Sequence, residues 1–344
     1  MGAELTVLPS AQADLAAFKV GDKVTLLLTT TGQVAGAVSP DVAKSNAVGV
    51  ATVDGTKATI ELLDGILTLE GQTTYSGAAA AKLNGCLVTV SSYKRDYLTL
   101  SKVNGKGAST ALNLTTNRMG TKELSAGARF FEQVGNGRLV EIDRSDITIT
   151  SIPANKITYV GYDWAGRVDK LVLNDVTGDR YDYGIIHYQP AGYQETPGNP
   201  NGNGEYKNGE ISVTNGSFPK GMPPYVVGSV DGAKTNRMGG VAGSLDQLDG
   251  KNRMAAFMPL NEATGIRRAQ FNTDAMLLTT NSMVIPISDK VECYNKTTGD
   301  WFKPGEDGDH KAALNLALAF SDDITVYYDR SPEEGGKVRI VVVE

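Results

Sequence analysis

The chain has 344 residues, with 33 basic and 39 acidic side chains for a formal net charge of −6. That balance excludes a broadly basic nucleic-acid binder, because releasing counterions from phosphates needs clustered Lys and Arg. The 41% hydrophobic and 21% charged residues exclude a disordered chain, and with only two His and two Cys most metal and nucleophile chemistry is excluded as well. At roughly 150 residues per domain the length implies two or three domains. No run approaches the ~18 apolar residues of a membrane span.

In chain order, the first segment begins Met1-Gly2-Ala3-Glu4 and lacks the basic and apolar regions of a signal peptide. Ser10–Phe18, after Pro9, reads as two helical turns. From there short β-branched segments dominate: Val24–Leu28, Ala58–Leu63, Cys86–Ser91, Tyr97–Leu100, Ile157–Val160, Lys170–Leu173 and Ile324–Tyr328, with turn residues between them. Ala58-Thr59-Ile60-Glu61-Leu62 alternates with period two, the pattern of a strand with one buried face. Ala78–Leu83 suits one helical turn. His310–Ala319 has high helix propensity, although the alternation of Leu314, Leu316 and Leu318 leaves a strand open. Glycine is 39 of 344 residues, above the usual ~7%, as a turn-rich chain requires. The expected class is mainly β, with tandem small β-barrel or β-sandwich units and few short helices.

One phrase occurs three times. A β-branched residue or Val followed by Thr opens a strand at 24, 157 and 324. A polar turn follows, and Gly32-Gln33-Val34, Gly166-Arg167-Val168 and Gly336-Lys337-Val338 open a second strand. This is a β-hairpin with glycine in its turn. Upstream, Leu8-Pro9-Ser10-Ala11 matches Ile152-Pro153-Ala154-Asn155, and Val48–Ala51 matches Tyr183–Ile186. Ile60–Gly65 matches Ile211–Gly216, and Phe131–Gly137 matches Val291–Gly299. The matches keep their order, so the chain reads as a tandem array. Residues 1–44 are the terminal hairpin of a truncated preceding unit, 45–179 is unit 1 and 180–344 is unit 2. The second unit carries a Pro/Gly/Asn-rich loop at 190–207, expected to be exposed and mobile. Asp175–Asp179 leaves little slack at the joint. The last strand runs to Glu344, and such abrupt ends favour a segment excised from a larger exported protein over the alternative of a cytoplasmic protein.

Phe18–Leu28 with Gly32–Val38, Ile157–Asp179 (including Trp164–Asp169 and Leu173–Asp179) and Asp322–Val343 resemble the β-rich repeats of Firmicute cell-surface proteins that carry S-layer homology domains. The resemblance rests on hairpin phrases. It implies an extracellular, cell-wall-associated segment whose partners are other parts of the same surface protein or cell-envelope components. It implies no activity, and the S-layer homology module itself is not in this sequence.

Catalytic signatures are lacking. His187 lies in a strand, where it reads as half-exposed, and His310 reads as a solvated loop residue. No GxSxG elbow or HExxH motif occurs. Cys86 and Cys293 are expected to be buried apolar side chains without a disulfide. Asp175, Asp179 and Asp182 offer oxygen ligands of the kind calcium uses, without EF-hand spacing, and Asp and Gly also form turns for backbone reasons. No other cofactor is implied. Tyrosines concentrate at 181–225, and Tyr183, His187, Tyr188, Tyr193 and Tyr206 are the binding candidates, by stacking on sugars or contacting a protein. The expected function is therefore a non-catalytic structural or display segment. A glycan- or protein-binding adhesin module is the first alternative and a hydrolase the second.

Overall fold

The computed structural model describes residues 4–12, 15, 24–38, 47–63, 68–75, 77–94, 97–103, 108–163, 165–195 and 204–344. The fold is mainly β, and the chain separates into two compact units, Met1–Asn104 and Gly105–Glu344. The first unit opens with a hairpin, β1(Thr25–Leu28) and β2(Val34–Val38). Most of the expected helix at 10–18 lies outside the described residues.

A closed barrel follows, built from β3(Ala47–Asp54), β4(Lys57–Leu62), β5(Thr68–Thr73), β6(Leu87–Lys94) and β7(Tyr97–Lys102), with a short helix α1(Gly77–Ala81) between β5 and β6. Neighbours are antiparallel except β5 and β7, whose parallel pairing closes the ring. Closure leaves no strand edge to template aggregation. Ala51, Ile60, Val88, Val90 and Leu98 fill the interior, as the alternation along β4 requires.

The second unit begins with a seven-stranded sheet. Its strands are β8(Leu112–Asn113), β9(Arg118–Met119), β10(Lys122–Gln133), β11(Val140–Ile142), β12(Ser151–Ile152), β13(Ile157–Tyr162) and β14(Val168–Asn174), in the order β12-β8-β9-β10-β14-β13 with β11 on β10. A second closed barrel comes next. It contains β15(Asp182–Gln189), β18(Gly209–Thr214), β19(Tyr225–Val227), β20(Met238–Leu248) and β21(Lys251–Pro259). A separate ribbon, β16(Gly192–Glu195) with β17(Gly204–Lys207), lies between β15 and β18 in the chain. The last sheet holds β22(Asn261–Ile266), β23(Phe271–Asn272), β24(Leu277–Thr279), β25(Val284–Asn295), β26(Asp300–Phe302), β27(Ile324–Tyr328) and β28(Val338–Val343). Its order is β22-β27-β28-β25-β24-β23, with β26 on β25.

The two barrels share strand order and orientation, and the β3–β4 pair shares its register with β15–β18. Asp54 pairs with Lys57 as Gln189 pairs with Glu210, and Ala51 with Ile60 as Ile186 with Val213. Gln72 lies beside Tyr97 in the parallel closure as Val226 lies beside Arg253. Val48–Ala51 and Tyr183–Ile186 therefore occupy the same positions. The Ile60/Ile211 match is two residues out of register, which preserves the face. The Phe131/Val291 match is three out: Phe131 lies opposite Val172, and Tyr294 opposite the equivalent Val342. Glu132 accordingly corresponds to Asn295 and not to Glu292.

The three hairpins also agree. Each has a bulge beside the turn, at Leu27/Leu28, Gly161/Tyr162 and Tyr327/Tyr328. A further bulge at Ile157/Tyr159 absorbs Thr158, so Thr158 is one position away from Thr25 and Thr325. Packing thus divides the chain after the first barrel, whereas a barrel followed by a sheet recurs over 47–174 and 182–343, with β8-β9-β10-β14-β13 ordered as β23-β24-β25-β28-β27 and with β12 and β22 lacking counterparts.

The segment 310–320 is a helix, α2(His310–Phe320), and the strand reading of its leucines does not hold. Asp309 caps it by accepting from the N–H of Lys311 and Ala312. Leu314, Ala317 and Leu318 pack on Val338, Val341 and Val343 of β28, while Leu316 stays 59% exposed. The opposite face of β28 places Ile340 and Val342 against Ala242 and Met258 of the second barrel. Strand β28 is buried on both faces, which is why its sequence is continuously apolar.

Candidate functional site

Among the described residues, a constellation of charged side chains surrounds the connection 175–181 between the first sheet and the second barrel. Arg339 on β28 is 1% exposed. Its Nε donates to Asp329 Oδ2 at 2.8 Å, its Nη1 to Asp179 Oδ1 at 2.5 Å and to Ser288 Oγ at 3.1 Å, and its Nη2 to the Thr177 carbonyl at 2.5 Å. The guanidinium also lies 5.0 Å from the ring centre of Tyr183. Lys337 Nζ meets Asp179 Oδ2 at 2.7 Å. Arg330 donates to Asp175 Oδ1 at 2.5 Å and to the Val176 carbonyl at 3.0 Å.

The first sheet holds the same connection from its other side. Glu132, fully buried on β10, accepts from the N–H of Val176 and Thr177 at 2.5 and 2.7 Å, and from the Thr177 hydroxyl. Gly178, at φ +72°, fits because a Cβ there would collide with Asp329 and Arg339. Burial pushes the Asp179 carboxyl up, but Arg339 and Lys337 outweigh it and hold it below the ordinary carboxylate range.

Beside this network a cavity of about 100 Å³ is lined by Asp182, Ser217, Lys290, Glu292 and His310, among others. Glu292 on β25 accepts from the Gly216 N–H at 2.9 Å and the Ser217 hydroxyl at 3.4 Å, so it ties the β18–β19 loop of the barrel to the sheet. Burial pushes Glu292 up to about 7, against the pull of those two donors. Asp182 is also raised by burial, which Arg180 and Lys290 only partly offset. His310 Nδ1 lies 3.0 Å from the Val291 carbonyl and 3.9 Å from Glu292 Oε1. This histidine is partly buried at the start of α2 and not solvated as its loop-like sequence implies.

The sequence candidates scatter. Asp175 and Asp179 face cations, and Asp182 lies in the neighbouring cavity. Among the described residues no group of three His, Cys, Asp or Glu side chains is arranged to hold a metal ion. Tyr183 is buried, donating its hydroxyl to the Gly178 carbonyl at 2.8 Å, and does not present a stacking face. His187 is exposed beside Thr214 Oγ1 at 2.5 Å. Tyr188 is half-buried, and its hydroxyl accepts from the Val230 N–H. Tyr193 and Tyr206 are backbone partners in the β16–β17 ribbon. The 190–207 segment is thus not all loop, and the tract 196–203 lies outside the described residues. Cys86 and Cys293 are buried free thiols. Arg339 and Asp329 escaped the sequence reading. Their only signal was charge inside otherwise apolar or aromatic strand phrases.

Comparison with protein-family models, with curated proteins and with solved structures gives no match for this chain. Among the described residues, no helix is long and apolar enough to cross a membrane.

Proposed function

We propose that this chain is a non-catalytic structural or display segment of a bacterial cell-surface protein, of the kind that accompanies S-layer homology domains. Its partners are other segments of that protein or components of the cell envelope, and its place is outside the cell, at the wall. The observation that carries this reading is the Arg339 network. Charged groups that an enzyme would aim into a cleft are here spent on the joint between consecutive sheet and barrel modules. A buried, fully paired network fixes one arrangement of the parts, which suits a spacer. Antibody raised to the chain should label intact producing cells and follow the wall fraction. Signal confined to the cytosolic fraction overturns the proposal.

A further inference from the structure

The duplicated barrel supplies its own control, because what differs between the copies is not required by the fold. In the first barrel the rung Asp54–Lys57 is closed by the two-residue turn Gly55-Thr56, with Gly55 at φ +59°. In the second barrel the equivalent rung Gln189–Glu210 is closed by residues 190–209, which contain the β16–β17 ribbon. Beside that insertion lies an open groove of about 430 Å³. Both rung residues line it, joined by Tyr206, Lys207 and Asn208 of the insertion, by Asp249 of the β20–β21 turn and by Lys251 at the start of β21.

Tyr206 is 69% exposed. What sets this ring apart from other exposed side chains is its place in the lining of the groove. Around it the groove offers two amides, Gln189 and Asn208. Its charges balance, Lys207 and Lys251 against Glu210 and Asp249, with Lys251 Nζ already 2.5 Å from Glu210 Oε1. An aromatic platform ringed by amides and balanced charges matches a polar, uncharged ligand with an apolar face and many hydroxyls.

We propose that the insertion at 190–209 makes this groove a binding site for a neutral saccharide. The sugar face stacks on Tyr206, and its hydroxyls bond to Gln189, Asn208 and Asp249. This site is independent of the spacer reading, and its failure would leave that reading standing.

The test is binding of the purified full chain to arrayed neutral and acidic oligosaccharides, followed by titration calorimetry with any that are retained. Neutral saccharides are retained, and Tyr206→Ala and Asn208→Ala each weaken binding about tenfold or more. Exchange of 190–209 for Gly-Thr abolishes binding while circular dichroism and melting stay those of the parent. Tyr162→Ala, a 50% exposed tyrosine on β13, changes nothing. Retention of no saccharide, retention of acidic ones alone, or binding that survives Tyr206→Ala overturns the proposal. If the exchanged chain does not fold, the surface substitution Tyr206→Ala decides.

Discussion

Gly49 in the first barrel and Gly184 in the second hold the same rung, and each lies where the neighbouring strand leaves no room for a side chain. A Cβ on Gly49 would sit 2.5 Å from the Glu61 carbonyl oxygen, and one on Gly184 even closer to the carbonyl of Thr214, the equivalent residue. Both obstacles are backbone, so neither can swing aside. Gly49→Ala and Gly184→Ala should each destabilise their own barrel by about 3 kcal/mol, near the upper end for overpacked interiors. Gly228→Ala, which meets nothing within 4 Å, should change stability by less than about 0.5 kcal/mol. Urea unfolding of the three variants checks this.

Arg339→Met should cost about 3–5 kcal/mol, because it leaves Asp329 and Asp179 buried beside a lost cation. Removing the two carboxylates as well, with Asp329→Asn and Asp179→Asn, should recover part of the loss, since the three residues act as one network. A loss of the same size in the single and triple variants would show that packing, and not charge, holds the connection 175–181.

Glu292 and Asp179 make opposite contributions to pH dependence. Glu292 is raised from 4.5 to about 7, so its stabilisation is full below pH 4.5 and disappears as pH rises through about 7. The interval corresponds to roughly 3 kcal/mol. Asp179 is lowered, so its contribution is present above pH 3.8 and is lost as the solution becomes more acid than that. Melting temperature should therefore fall between about pH 4.5 and 7 in the parent. It should be nearly flat there in Glu292→Gln, which retains a carbonyl acceptor for the Gly216 N–H.

On α2, Leu314→Ala should cost about 2–5 kcal/mol, as a fully buried leucine does. Leu316→Gln, on the exposed face, should cost less than about 0.5 kcal/mol. Equal losses would mean that the helix face assigned to β28 is wrong.

The sequence reveals the hairpins because their turns are local: Gly32, Gly166 and Gly336 each stand two residues before the valine that opens the return strand. It reveals the barrel rung at Val48 and Tyr183 because a close backbone approach demands glycine at the next position. It misplaces Phe131 against Val291 because the Glu that follows each invites alignment, whereas pairing with β14 and β28 sets the true register. Tyrosine clustering does not separate Tyr183, buried under Arg339, from Tyr206, which is in water. Burial depends on strand phase and on which module covers which face. The Arg339 network is formed by residues far apart in the chain, at 177–183 and 329–339, and no local pattern encodes such a meeting.

The two-residue turn at Gly55-Thr56 is an unused port. The barrel that carries it has the same strand order as the one that carries the 190–209 insertion, so the insertion can be moved there on the same frame. If the proposed saccharide site holds, a chain with the insertion at both turns would retain a multivalent target through avidity, with no single contact made stronger.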